Sequence, residues 1–184
     1  MARINLIEPS QAQGKAKRLL EAVNQQMGSI PNLFKGFANS PAVLESYLAQ
    51  VKALSGGALN PGLREQIALT VAGENNCNYC ASAHTYLGGK AGVPPDELAR
   101  NLVGRSDEEK TEAALVFVMA IVESRGHIQD TDLKAVREAG YNEAEITEII
   151  AHVALNIFTN YFNHIAETEV DFPFVSSENT ASAA

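Results

Sequence analysis

Arg64–Thr85 reads REQIALTVAGENNCNYCASAHT. Its first half has helical rather than strand period. With the Asn60-Pro61 start signal and Leu63 before it, the segment from Pro61 to about Glu74 carries Ile67, Ala68, Leu69, Val71 and Ala72 on nearly every side. A helix that is apolar all round is buried. Asn75-Asn76 breaks it, and a second helix runs from Cys77 to near Gly88-Gly89. Two consecutive helices, one of them central, predict an all-α fold.

The flanks agree. Ser10 to Met27 predicts a first helix with Leu19, Leu20 and Val23 on its apolar side, and Pro31 opens the short PNLFKGFA segment. Ser40-Pro41 places a cap before a proline at the first helical position, where proline lacks only an amide that has no helical partner anyway. That helix stops at Ser55-Gly56-Gly57, and Pro94-Pro95-Asp96 starts another. Ser106-x-x-Glu109 and Asn142-x-x-Glu145 both read as capping boxes, opening an apolar helix that ends at Arg125-Gly126 and a long last helix to about Val170. Between them, Asp130 or Thr131 starts a short helix closing at Gly140. No β pattern or internal repeat emerges. The expectation is one all-helical domain over residues 1–175, with short loops and a disordered tail at 176–184.

Both cysteines of the chain lie in the quoted stretch. With Cys77 in the first turn of its helix, Cys80 is about 60° and His84 about 20° away around the axis, so all three share a face. A helix N-terminus favours thiolate. Thiols one turn apart can close a disulfide, and a histidine one turn beyond Cys80 can move a proton. The set fits a redox dithiol. Zinc is a second reading, since two thiolates and an imidazole are acceptable ligands, but a structural site needs a fourth from His127, His152 or His164. Two buried core cysteines are the third.

The arrangement Glu65, eleven residues, Cys77-x-x-Cys80, three residues, His84 resembles the signature of the alkyl hydroperoxidase D-like (AhpD-like) branch of the carboxymuconolactone decarboxylase family. The resemblance is close over Glu65–His84 and looser outside it. It implies an AhpD-like helical domain assembling as a homo-oligomer, a trimer or hexamer. It implies a thiol-dependent peroxidase that reduces alkyl hydroperoxides or H₂O₂ without metal or organic cofactor, re-reduced by a lipoyl or thioredoxin-like dithiol carrier. Cys80 would then attack the hydroperoxide, Cys77 would resolve it, and Glu65 with His84 would relay protons. The helix dipole argues for the reverse order of the two thiols. One letter departs from the best-known peroxidases: the position before the second cysteine, a relay histidine there, is Tyr79. A tyrosine is neutral near pH 7. It either donates a hydrogen bond to a substrate oxygen or packs as an ordinary aromatic. The alternatives are a non-catalytic oligomer, redox-sensing or zinc-binding, and the decarboxylation that names the family, which needs no dithiol.

Glu65 alone is an unremarkable helix-start acid, but its face continues through Ala68, Leu69 and Ala72, where half-burial suits a base. On the last helix His152, Asn156, Asn160 and Asn163 fall within about 80° of one another among apolar residues. The stripe would line the thiol pocket or, as we expect, hydrogen-bond across a subunit interface. The formal charge of −8 argues against nucleic acid or anionic membrane as partner. Ala113–Val122, the longest apolar run, is too short to span a bilayer, and no signal peptide is visible, so a cytoplasmic location is expected.

Overall fold

The computed structural model describes residues 3–178. Among the described residues there are nine helices and no strand. These are α1 (Gly14–Met27), α2 (Asn32–Phe37), α3 (Pro41–Ser55), α4 (Pro61–Glu74), α5 (Asn78–Lys90), α6 (Pro95–Asn101), α7 (Glu109–Ser124), α8 (Asp130–Glu138) and α9 (Glu143–Ala166). The all-α expectation holds. Residues 176–178 of the expected tail are placed, and 179–184 lie outside the described residues.

α4 is the central element, packed against α5, α6, α7 and α9. Ile67, Leu69, Val71 and Ala72 have no exposed surface, which is why its sequence is apolar on every side. The Asn60 side chain caps it by accepting from the Leu63 amide at 2.8 Å. Gly73 is needed near its end, because a Cβ there would lie 1.8 Å from the Leu102 carbonyl oxygen. Two apolar clusters flank α4. One joins α4, α7, α8 and α9 through residues such as Leu115, Phe117, Val136 and Ile149. The other joins α1, α2 and α3 to the start of α5, and both cysteines belong to it.

Three boundaries differ from expectation. α1 begins at Gly14 rather than Ser10. α9 ends at Ala166 rather than Val170, where Glu167 turns into the left-handed region at φ 49°. The Ser106 box does not form: Ser106 Oγ donates to Glu97 Oε1, and α7 starts at Glu109 with Glu108 at the cap position. Ser106 Oγ still accepts from the Glu108 amide at 3.2 Å, but Glu112 rather than Glu109 reaches back to the Ser106 amide. The Asn142/Glu145 box is present, with Asn142 Oδ1 accepting from the Ala144 and Glu145 amides at 2.9 and 3.0 Å.

Candidate active site

α4 and α5 form an antiparallel helical hairpin around Asn75–Cys77. Asn76 makes the turn at φ 54°, a conformation asparagine tolerates better than most side chains. The hairpin sets residues on α4 opposite residues a similar distance beyond the turn on α5. Glu65 and His84 therefore meet, with Glu65 Oε2 2.8 Å from His84 Nδ1. Both side chains are half-buried. With Nδ1–H donated to the carboxylate, His84 Nε2 is left to accept a proton.

Cys77 is not inside the helix but caps it. Its Sγ accepts from the Cys80 amide at 3.3 Å, taking one of the amide donors that a helix start leaves unpaired. The two sulfurs are 2.6 Å apart and both residues are buried. Hydrogen bonding from the Cys80 thiol, then from the Cys80, Asn163 and Tyr79 N–H groups, holds Cys77 below the usual thiol range against the opposing effect of burial. Burial and then the neighbouring Cys77 push Cys80 well above it. Within the pair, the sulfur that caps the helix is the one biased toward thiolate. Cys80 stands one turn before His84 on the same face.

The α9 stripe faces inward, which corrects the interface expectation. Asn160 has no exposed surface, and His152, Asn156 and Asn163 are also buried. Asn163 Nδ2 donates to Cys80 Sγ at 3.3 Å. Asn160 Oδ1 accepts from Asn75 Nδ2 at 3.0 Å. A different stripe of α9, including Ile150, Phe158, Tyr161 and Ile165, is the exposed one. The period locates two stripes; only packing decides which turns inward.

A cavity of about 450 Å³ opens beside the Glu65–His84 pair, walled by Tyr47, Glu65, Ala68, His84, His152 and Phe172 among others, with neither cysteine in its lining. Tyr47 of α3 has its phenol pushed up by burial, then by Cys80 and Glu65, so it remains a neutral donor there. Nothing near Tyr47 in the sequence marked it. His152 contributes a buried imidazole whose Nε2 has no partner. Its pKa is lowered, chiefly by burial and next by Arg64, which keeps it neutral near pH 7. Tyr79 points elsewhere. Its hydroxyl accepts from the Leu33 amide at 3.1 Å, and its ring meets Phe172 edge-on. A second opening of about 430 Å³, on the other side, is lined by Cys77, Tyr79, Asn163, Val170 and Phe174 among others. The segment after α9 closes over the start of α5: Ser177 N–H and Oγ both reach Asn78 Oδ1 at 2.8 Å, and the Val175 amide donates to Ser82 Oγ at 2.9 Å.

Among the described residues, no group of three or more His, Cys, Asp or Glu side chains is arranged to hold a metal ion. No described helix is long and apolar enough to cross a membrane.

A helical hairpin that carries a capped dithiol on one arm and a glutamate–histidine pair across its two arms defines an AhpD-type helical protein. Residues 40–124 match the carboxymuconolactone decarboxylase family. The fold is that of AhpD-like helical proteins. Its fold is similar to that of an uncharacterized peroxidase-related protein with an alkylhydroperoxidase AhpD core from Ralstonia eutropha JMP134, at TM-score 0.84, 22% identity and 92% coverage of both chains. A peroxidase-related protein from Silicibacter sp. TM1040 gives TM-score 0.78 and 20% identity, covering 91% of this chain and 89% of that one. The debrominase Bmp8, in complex with 2,3,4-tribromopyrrole, gives TM-score 0.79 and 20% identity, covering 92% of this chain and 91% of its own. No curated protein matches the chain in sequence.

Proposed function

We propose that the protein is a thiol-dependent peroxidase whose reacting groups are Cys80, Cys77, His84 and Glu65. The observation that carries this is the closeness of the two sulfurs, 2.6 Å, on a helix whose next turn bears the Glu65-paired imidazole. His84 Nε2 takes the Cys80 proton. The Cys80 thiolate attacks one oxygen of ROOH, the O–O bond breaks, and the departing alkoxide takes a proton to leave as ROH. Cys80 becomes a sulfenic acid. Cys77, already biased toward thiolate, attacks that sulfur, forming the disulfide and releasing water after protonation. An external dithiol carrier, lipoyl or thioredoxin-like, returns both thiols. The role order follows the base rather than the cap: a thiol with a proton acceptor one turn away can be activated on demand, while a neighbour biased toward thiolate makes a ready resolving group.

Tyr79 enters as a packing residue, because its hydroxyl already serves the Leu33 amide. The exposed α9 stripe is our candidate subunit contact, and a reducing compartment such as the cytoplasm suits a resting dithiol.

The test is a thiol titration before and after one equivalent of hydroperoxide, with a turnover assay beside it. Two thiols should become one intramolecular disulfide. Reduced protein that consumes no hydroperoxide and keeps both thiols ends this reading. The breadth of the aromatic-walled cavity, about 450 Å³, supports a second substrate class, small haloaromatics. There a thiolate takes the halogen as S–Br, the arene carbon takes a proton, and the second thiol displaces bromide to give the same disulfide. Bromide release from a bromoarene, measured in parallel, separates the two.

A further inference from the structure

Asn160 and Asn163 are each half-satisfied. Asn160 uses its oxygen on Asn75, and its Nδ2 is buried with no partner. Asn163 uses its nitrogen on Cys80, and its Oδ1 is buried with no partner. Leaving such atoms unpaired in an interior is costly and uncommon. Here one orphan is a donor and the other an acceptor. Both belong to side chains one turn apart on α9; Asn163 bonds the Cys80 sulfur directly, and Asn160 lies near enough to favour the charged form of Cys80.

The Cys80 thiol, a weak donor whose weakly accepting sulfur already serves Asn163 Nδ2, leaves this pair unsatisfied. A sulfenic acid can satisfy it. Cys80–S–O–H carries one oxygen that accepts and one hydrogen that donates. We propose that Asn160 and Asn163 form a carboxamide cradle for the oxidised state of Cys80: Asn160 Nδ2 donates to the sulfenic oxygen, Asn163 Oδ1 accepts its hydrogen, and Asn163 Nδ2 steadies the thiolate that precedes it. The cradle rests on the reading of Cys80 as the attacking thiol. In the balanced step, Cys80–S⁻ and ROOH with one proton give Cys80–SOH and ROH. The cradle moves no proton in that step; it supplies the two hydrogen bonds the product needs and the reactant lacks. The groups it acts among are Cys77, Tyr79 and His84 on α5, Glu65 on α4 and Tyr47 on α3.

The test uses the full chain with Cys77→Ser, which leaves one thiol and removes the resolving attack. Thiolate absorbance and alkylation rate against pH report Cys80 ionisation. A dimedone-type trap against time reports sulfenic acid lifetime. Asn163→Leu should slow alkylation at neutral pH about tenfold, the scale of one charge-assisted hydrogen bond. Asn160→Leu should shorten the sulfenic lifetime by about the same factor while changing thiolate formation less. Asn163→Asp keeps the shape but offers only acceptors, so it should repeat the alkylation defect; it serves if a leucine variant does not fold. Unchanged ionisation and lifetime in these variants, within about twofold of the Cys77→Ser parent, overturn the cradle. If the Cys77→Ser parent forms no sulfenic acid at all, the peroxidase reading fails, and the sulfenic part of the cradle with it. The alkylation profiles still decide whether Asn163 stabilises the thiolate.

Discussion

The two ends of α9 lie against opposite kinds of interior. Its first half presents Ile146, Ile149 and Val153 to α4, α7 and α8 in a cluster of purely apolar contacts. Its second half buries Asn156, Asn160 and Asn163, the last of them bonded to Cys80. Two of these keep an orphaned polar atom. The first half is what a helix does for stability. The second accepts unpaired amide atoms at a depth where leucine would fit better by transfer energy alone. One helix thus joins a scaffold optimised for the folded chain to a site whose polar groups fit a different chemical state of Cys80.

The comparison breaks if the two ends respond alike to substitution. The largest effect expected is on chemistry: Cys80→Ser should abolish hydroperoxide turnover, by about 10³-fold or more as for loss of a nucleophile that acts with its partners as a unit, with helical content and melting little changed. Circular dichroism and a turnover assay check both halves of that statement. In the apolar end, Ile149→Ala should do the reverse. It should cost about 2–5 kcal/mol by cavity formation, read from urea unfolding, and leave the thiol titration intact.

Tyr79→Phe sharpens the boundary between the two regions. It leaves the Leu33 amide without its partner, so a loss of about 1–3 kcal/mol is expected, with hydroperoxide turnover within about twofold of the parent. A large fall in turnover at unchanged stability would make Tyr79 a substrate donor instead. A pH scan probes the cavity wall. His152 has a folded-state pKa below its ordinary value of 6.5, so the folded state prefers the neutral ring. Its contribution to stability is complete above that ordinary value and is lost as pH falls through the lowered folded value. His152→Gln should flatten the acid side of the stability profile measured by denaturant unfolding. The smallest effect belongs to the first turn of α9: Asn142→Ala should cost about 1 kcal/mol by loss of its cap, without change in thiol reactivity.

Much of the candidate site was legible because it is local. Glu65, Cys77, Cys80 and His84 lie within one helical hairpin, and helix period with a single break brings them together. The stripe on α9 was visible too, but not its direction. Ile150, Phe158, Tyr161 and Ile165 form a second, apolar stripe on the same helix, and by polarity alone that one belongs inside. Tertiary packing reverses the choice, setting Asn163 against Cys80 and Asn160 against Asn75. Tyr47 was invisible, since α3 approaches Cys80 only through tertiary packing. Ser106 misled for a related reason: its hydroxyl is anchored to Glu97, nine residues earlier on another helix, and the helix opens two residues later with Glu108 at the cap position.

The contacts that roof the dithiol come from far along the chain. Asn163 is 83 residues from Cys80, Val175 is 93 from Ser82, and Ser177 is 99 from Asn78. A ribosome therefore releases both cysteines well before the residues that cover them. At about 5–20 residues per second, that gap lasts on the order of ten seconds. During synthesis the two thiols are held in an unfinished helical hairpin, open to solvent and to whatever oxidant is present. The order of the chain makes the site chemically vulnerable before it is chemically organised, and the last turns of α9 with the segment beyond them end that interval.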